Sequence, residues 1–440
     1  MSIFKAYDIR GVYPSQINEE IAYKIGKSFV TFTKTKQVVV GIDARISSPQ
    51  IFDSLVKGLT EQGADVINIG LVTTPMFNFV QAHFKYISGI MITASHNPKE
   101  YNGLKMNSED ATPLTEETGI KEIEKLVEEN NFVEVLDKGS VSKKNHFEDY
   151  FSFIVDLVKK DISKLKIVVD ASSGSIGPIC KQVFSKLNVN YVPLNFEPNG
   201  DFPSHDPNPL KKDSQEETKK VVLKEKADFG CLFDADADRI IFIDEYGKTI
   251  QSDFVAALIT KKVLRDKPGG KVLYDCISSR IIEKTIVDNG GVPIVTRVGR
   301  SYIYLTAKKE DVLFGAEASS HYYHQEVYHS DNGLLTLLKI MELLIEEKKS
   351  LSMLVEPYKI YAHSGEVNVG VEGKDEKIKL IAEEFKDGKQ SRLDGISVEY
   401  DNAWFNVRKS NTEPLLRVRI EGKNKESVDD MKRRILEIIA

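Results

Sequence analysis

Asp234, Asp236 and Asp238 occupy every second position of the run FDADADRIIFID, with only alanine between them. Three carboxylates this close repel one another unless a cation joins them, and an all-oxygen donor set selects Mg2+ or Ca2+. A calcium loop of the EF-hand kind fails on position. Counting from Asp234, the sixth residue is Arg239 where the turn needs glycine, and the strand-like run IIFI fills the loop. A solvated acidic turn is the other reading; the apolar runs ADFGCLF and RIIFI on either side argue against it.

A second group lies in GIMITASHNPKEYNGLKM, where an apolar run opens onto Ser95 and His96 and reaches Lys105 ten residues after the serine. A hydrolytic Ser-His pair and a helix cap are the generic readings. Neighbours on an extended chain point opposite ways, so His96 is poorly placed to deprotonate Ser95. At the tip of a strand-end loop, Ser95 would instead project into a cleft, and an acceptor serine near a magnesium site fits phosphoryl transfer. Lys105 could shuttle the proton if it is desolvated and close to cations; taken alone it reads as a surface lysine.

Two further stretches could bind. NVRKSNTEPLLRVR joins hydroxyls, an amide and backbone N–H groups to Arg408, Lys409, Arg417 and Arg419, a donor set suited to a dianionic phosphate. A polar turn between two strands is its plainer reading. FGAEASSHYYHQEVYH carries Glu317, Ser319 and His321, which alternate acceptors and donors fit for sugar hydroxyls. Its histidines His321, His324 and His329 raise zinc, but HxxH without the adjacent acid of the helical motif is a weak signal.

The elements that must position these groups show a repeat. VVVGIDARISSP, IVVDASSGSIGP and VLYDCISSRII each run from an apolar strand to an aspartate, small polar residues and a helix start. An amphipathic stretch and a second strand follow each: DVINIG, NVNYVPL and GVPIVTRV. The alternation predicts mainly parallel, covered sheets. The expected fold is three similar mixed α/β domains, residues 1–144, 145–248 and 249–356, plus a smaller C-terminal α+β domain, 357–440. DKGSVSKKN reads as a polar linker and DEYGKTIQSD as turn-rich. From Tyr358 the pattern is strand, helix over Glu376 to Lys386, three strands, and a closing helix from Lys425.

Composition narrows the class. At 440 residues the chain exceeds one hydrophobic core, and 41% hydrophobic with 29% charged residues suits an ordinary soluble enzyme. A net charge of -6 gives no reason to expect nucleic acid, and no segment approaches the ~18 apolar residues of a membrane span. Without a signal-like run at the start of the sequence, a cytoplasmic setting is expected. Cys180, Cys231 and Cys276 are widely spaced among apolar neighbours and suit reduced, buried thiols better than a disulfide or zinc.

Taken in order, FKAYDIRG, TASHNP, DADADR, GAEASSH and RKSNTEP resemble the α-D-phosphohexomutases, most closely the phosphomannomutase/phosphoglucomutase branch, over essentially the whole chain. The resemblance implies four domains around a central cleft. It implies that Ser95 carries the phosphoryl group, and that Asp234, Asp236 and Asp238 hold Mg2+ together with the Ser95 phosphate. His96 and Lys105 match residues of hydrogen bonding and acid/base work, Tyr7 and Arg10 residues near the cleft, and Arg239 follows the metal aspartates. Glu317 and Ser319 match readers of the sugar O3 and O4 hydroxyls, with His321 beside them. Arg408, Ser410, Asn411 and Thr412, with Arg417 nearby, match the clamp on the non-reacting phosphate. Two positions depart from the family pattern and bear on substrate preference: Arg300 replaces the histidine of a TGH motif, and Ser320 a frequent glycine.

The resemblance implies interconversion of mannose 6-phosphate and mannose 1-phosphate, extending to the glucose pair, with a hexose 1,6-bisphosphate as intermediate and activator, by a monomer or homodimer. A phosphoglucosamine mutase, a silent sugar-phosphate binder and a phosphatase are the competing readings. Intact Ser95, Lys105 and all three aspartates argue against the silent binder, and the sugar loop and clamp would be superfluous to a phosphatase.

Overall fold

Short apolar runs form most of the strands, β-branched in Gln37–Ile42 and Lys166–Asp170, and the observed sheets are more mixed than the repeat predicts. A computed structural model describes residues 2–410 and 415–439, so the expectations for Asn411 and Thr412 lie outside the described residues. The described chain divides into two compact units, Met1–Gln251 with Ser319–Ser352, and Ser252–Ala318 with Met353–Ala440.

In the first unit one sheet runs Ile9–Val12, Tyr101–Asn107, Ser88–Ile92, Gln37–Ile42, Asp65–Leu71, Val141–Lys143. Its last four strands are parallel, as expected, but Tyr101–Asn107 runs antiparallel to both of its neighbours. The second sheet repeats the plan: Lys166–Asp170 is parallel to Asn190–Leu194 and Phe229–Phe233, while Ile240–Asp244 returns antiparallel. These reversals matter for the site. Residues 93–100 and 234–239 are the connections of two antiparallel pairs, closing at Ile92↔Leu104 and Phe233↔Ile240. Short returns of this kind place a polar tip at a fixed spot over an apolar sheet, and Ser88–Ile92 and Phe229–Phe233 are buried at every residue.

Gly103 is required by this arrangement, since a Cβ there would lie 2.1 Å from the Ile9 carbonyl oxygen of the neighbouring strand. The helix Thr74–His83 starts with Thr73 Oγ1 accepting from Met76 N and Pro75 in its first turn. The polar stretch expected as a linker, DKGSVSKKN, instead contributes Val141–Lys143 to the sheet edge, because the edge strand Asp65–Leu71 offers unpaired backbone groups beside it. Residues 319–352 also fold with the first unit. They form the hairpin Tyr322–His324 and Ser330–Asp331 and the helix Gly333–Glu347, whose Glu342 Oε1 accepts from the Lys159 and Lys160 amides.

In the second unit Val292–Thr296, Lys271–Asp275 and Phe314–Ala316 are parallel, with helices Ser252–Asp266 and Arg280–Asp288 packed together. The C-terminal sheet is antiparallel throughout: Ala362–Gly370, Leu415–Gly422, Ala403–Lys409, Ile396–Glu399, Lys389–Ser391. Helices Lys374–Glu384 and Lys425–Ile439 cover it, burying Ile381, Phe385, Phe405 and Ile435 between them. This is the small α+β domain expected from Tyr358 onward, with one short edge strand, Lys389–Ser391, that polar composition had hidden. Among the described residues no helix is long and apolar enough to cross a membrane.

Candidate active site

The two hairpin tips of the first unit meet. Ser95 Oγ donates to Asp234 Oδ2 at 3.0 Å, joining residues 139 positions apart in sequence. Asp234, Asp236 and Asp238 are all buried, with carboxylate oxygens within 4.8 Å of one another. Burial first, then the charges of Asp238 and Asp236, push the Asp234 carboxyl well above the ordinary range.

The donor set fits Mg2+. Besides the all-oxygen chemistry, Asp236 Oδ1 is buried and meets no hydrogen-bond donor among the described residues, a cost that a cation would remove. Positive charge already enters from the protein: Lys105 Nζ lies 2.7 Å from Asp236 Oδ2 and 2.6 Å from Asp238 Oδ2. Lys105 is therefore buried and not the surface lysine that its sequence context alone suggests, and the charges beside it are carboxylates, so of the two conditions set for a shuttle it meets desolvation. The register of Tyr101–Asn107 against Ser88–Ile92, with Met91 opposite Lys105, directs it there.

The expectation that Ser95 and His96 point apart is overturned, because it assumed an extended chain. Ser95 has φ +50°, in the left-handed region, and its Oγ lies 3.3 Å from His96 Nδ1. A non-glycine residue in that region is held by its surroundings; here Thr93 Oγ1 accepts from Ser95 N at 2.9 Å. Desolvation, reinforced by Arg239 and Arg10, holds His96 well below its usual pKa, so the imidazole is neutral at pH 7.

Arg10 reaches the same loop, donating to Asn97 Oδ1 at 2.6 Å and the Ala94 carbonyl at 3.3 Å while paired with Asp8 at 2.7 Å. Tyr7 is half-buried nearby in sequence and contributes to the field at Arg10. Arg239 donates its backbone N–H to Asp234 Oδ1 at 3.2 Å and its Nε–H toward His321 Nε2 at 3.3 Å. His321 Nε2 also lies 3.3 Å from Asp238 Oδ1, and its Nδ1 2.8 Å from Ser319 Oγ. His321 thus lies against the aspartate group, and His321, Asp238 and Asp331, all buried, are themselves close enough together to hold a cation. Ser320 follows with φ +69° and is buried, so the departure from glycine is built in a conformation that costs a side-chain-bearing residue roughly 1 kcal/mol or more.

The second unit holds the other expected residues. Glu317 is buried and its Oε1 accepts from Gly299 N at 3.2 Å, which ties it to the start of the helix Arg300–Glu310. Its charge, after burial, pushes the Asp275 carboxyl up to about 6. On the C-terminal sheet Arg408 and Arg417 are opposite one another in register and share Glu366, at 3.8 and 3.0 Å. Ser410 is buried, its N–H on the Leu415 carbonyl. The two remaining cations of that stretch serve structure: Arg419 pairs with Asp253 at 2.6 Å and Lys409 with Asp375 at 2.6 Å.

Sequence reasoning missed several contributors. Thr74 donates its Oγ1–H to Asp236 Oδ2 at 2.6 Å and its N–H to the Asp236 carbonyl, and Thr93 Oγ1 reaches the same carboxylate at 3.3 Å. Thr74 opens the helix just after its cap Thr73, and nothing in its spacing links it to a loop 162 residues away.

Four family descriptions match in order: Phosphoglucomutase/phosphomannomutase, alpha/beta/alpha domain I over residues 1–134, domain II over 145–247, domain III over 251–361, and the C-terminal domain over 366–438. The chain is 37% identical to a phosphomannomutase of Methanocaldococcus jannaschii, covering 100% of this chain and 98% of that protein. It is 32% identical to a phosphomannomutase of Escherichia coli strain K12, covering 96% and 95%. The crystal structure of a phosphoglucomutase/phosphomannomutase family protein from Burkholderia thailandensis superposes with a TM-score of 0.91 at 29% identity, covering 99% and 97%. With the serine tip, the aspartate group and all four domain descriptions in register, the chain belongs to the phosphoglucomutase/phosphomannomutase family of α-D-phosphohexomutases.

Proposed function

We propose that this phosphohexomutase interconverts mannose 6-phosphate and mannose 1-phosphate, and acts on the corresponding glucose phosphates, through phospho-Ser95 and a hexose 1,6-bisphosphate. The observation that carries the reading is the 3.0 Å contact of Ser95 Oγ with Asp234 inside a buried group of three aspartates. Relatives named phosphomannomutase along the whole chain support the choice of mannose.

In the first half of the reaction the P–Oγ bond of phospho-Ser95 breaks and a P–O bond forms to the free hydroxyl of the hexose phosphate. The hydroxyl proton is lost and Ser95 Oγ gains one. Lys105, held between two carboxylates, relays the proton: it gives one to the departing Ser95 oxygen and takes up the one the hexose hydroxyl loses, and the relay runs in reverse when the other phosphate of the bisphosphate goes back to Ser95. Asp234, Asp236 and Asp238, with the Ser95 phosphate, would hold Mg2+, which when bound neutralises charge on the phosphoryl oxygens. Neutral His96, with Arg10 and Arg239, binds phosphoryl oxygens by hydrogen bonds. Glu317 and Ser319 read the sugar hydroxyls. Arg408, Ser410 and Arg417, with Asn411 and Thr412, clamp the phosphate that is not reacting, and Tyr7, Arg300 and His321 complete the substrate contacts. A reduced compartment, such as the cytoplasm, suits three free thiols.

Mass spectrometry after incubation with glucose 1,6-bisphosphate and Mg2+ should show one phosphate on Ser95, absent in Ser95→Ala. A coupled assay with mannose, glucose and glucosamine 1-phosphates should then rank mannose first. No phosphate on Ser95 sinks the mutase reading, and glucosamine 1-phosphate as best substrate sinks the choice of sugar.

A further inference from the structure

The run GIDARISSP has no task in this reaction, yet it places a fully buried arginine under the serine tip. Arg45 has no exposed side-chain surface and is paired with equally buried Asp43 at 3.1 Å. Its other four donors all go to carbonyls of the Ser95 loop: Ser95 O at 2.7 Å, Asn97 O at 2.6 Å, Pro98 O at 2.7 Å and Tyr101 O at 3.0 Å. A guanidinium has five N–H donors, so every one is used. Asp43 is fixed in turn, its Oδ1 accepting from Arg45 N at 3.0 Å and Ser48 Oγ at 2.7 Å.

A loop of the next domain closes over this arginine. The Phe202 ring lies 5.2 Å from Arg45 Cζ, itself held at φ +47°. Gly200 packs so closely on the turn around Arg45 that a Cβ would lie 2.5 Å from Ala44 O and Ile46 N. Lys99, on the serine loop, meets Asp201 at 3.1 Å, an exposed pair of little energetic weight.

We propose that Arg45 is a positioning residue for phosphoryl transfer. It holds the carbonyls of residues 95–101 inward so that Ser95 keeps its left-handed conformation and faces Asp234, and residues 200–202 keep the guanidinium seated. The proposal rests on Ser95 as the phosphoryl carrier. The physical argument is one of over-determination: a strained backbone at a reacting residue persists only when its surroundings fix it, and a loop displaced by about 1 Å loses on the order of 10²-fold in rate. Lysine in place of Arg45 has three donors and no planar fork, leaving at least two of the five acceptors unpaired.

The test compares Arg45→Lys and Phe202→Leu with the parent enzyme in three readouts: melting, amide exchange over residues 94–101, and steady-state kinetics with a hexose 1-phosphate. Phe202→Leu keeps all five guanidinium donors but removes the ring that seats them, and guards against misfolding of the buried lysine variant. Both variants should melt cooperatively, exchange the Asn97 and Tyr101 amides about tenfold faster, hold KM within about threefold and lose about 10- to 100-fold in kcat. Unchanged exchange and kcat, or activity lost only in proportion to unfolded protein, overturns the positioning role. If the parent enzyme never phosphorylates Ser95 while Phe202→Leu still loosens the loop, the proposed reaction falls and the loop-holding contact stands.

Discussion

Lys105 and Asp234 divide one electrostatic problem. Three buried carboxylates need counter-charge; Lys105 supplies it to Asp236 and Asp238, while Asp234 takes the Ser95 hydroxyl, the Arg239 N–H and, at 3.9 Å, the Arg239 guanidinium. Removing one partner of a buried ion pair costs about 3 kcal/mol or more. Lys105→Met should therefore lower the melting temperature in EDTA, and Mg2+ should restore more stability to the variant than to the parent. Its kcat should still fall by about 10²- to 10⁴-fold in Mg2+, since the proposed proton relay is gone. Calorimetry in EDTA and in Mg2+ checks the first part; equal melting of variant and parent in EDTA would mean that Lys105 does not neutralise the group. At this scale the chemistry was legible from residue type and spacing, because carboxylates two apart between alanines have few other uses. The geometry was not. A single left-handed residue, Ser95, reverses the rule that neighbours point apart, and the pairing of Arg45 with four carbonyls leaves no mark in its own spacing.

The elements repeat one device, a strand ending in an aspartate that fastens the turn after it. Asp43, Asp170 and Asp275 each accept N–H or O–H donors from the next few residues. Hydrophobic periodicity found all three, because each is a buried apolar run with a polar stop. It could not find which strands reverse, since a buried antiparallel strand is as apolar as a parallel one. In the second domain the device includes a titrating group. Asp170 Oδ2 lies 3.2 Å from His205 Nε2 and accepts from Thr218 Oγ1 at 3.1 Å, while Asp170 Oδ1 accepts from Asn195 Nδ2, and the Asp206 carbonyl faces His205 Nδ1 at 2.8 Å. Burial opposes protonation of His205, but the hydrogen bond and charge of Asp170 outweigh it, with the Asp206 carbonyl and Glu217 adding to them, and its pKa is raised above 6.5. A cationic group raised on folding stabilises fully below its unfolded pKa, and that contribution is lost as pH rises through the folded value. His205→Gln should accordingly cost more stability at pH 6 than at pH 9, read as the difference in urea midpoint between variant and parent. A difference that is flat over this range would show that folding leaves the pKa of His205 unshifted.

For the whole molecule, the groups proposed to transfer the phosphate and the groups proposed to clamp it belong to different compact units. Ser95, Lys105 and the three aspartates lie in the unit Met1–Gln251 with Ser319–Ser352; Glu317, Arg408 and Arg417 lie in the other. The chain passes between units inside the sugar loop, after Ala318. Five motifs in order made the family legible, yet this division was not, because GAEASSH reads as one continuous stretch. What assigns residues 319–352 to the first unit is tertiary contact: Asn332 Nδ2 donates to the Tyr150 hydroxyl at 3.0 Å, and Ser352 Oγ to Glu245. The division makes the two tasks separable. Mutations at sites with no shared partners act additively; Asp236 and Asp238 pair with Lys105, whereas Arg408 pairs with Glu366. Arg408→Gln would remove the proposed charge-assisted phosphate contact, worth about 1.5–3 kcal/mol, so KM for the hexose phosphate should rise about tenfold or more. The Mg2+ midpoint, followed by melting temperature without sugar, should stay within about twofold of the parent. A shift of both together would mean that the clamp and the metal group act as one site, and the kinetics of Ser95 phosphorylation would then have to be read with Arg408 as part of the transfer machinery.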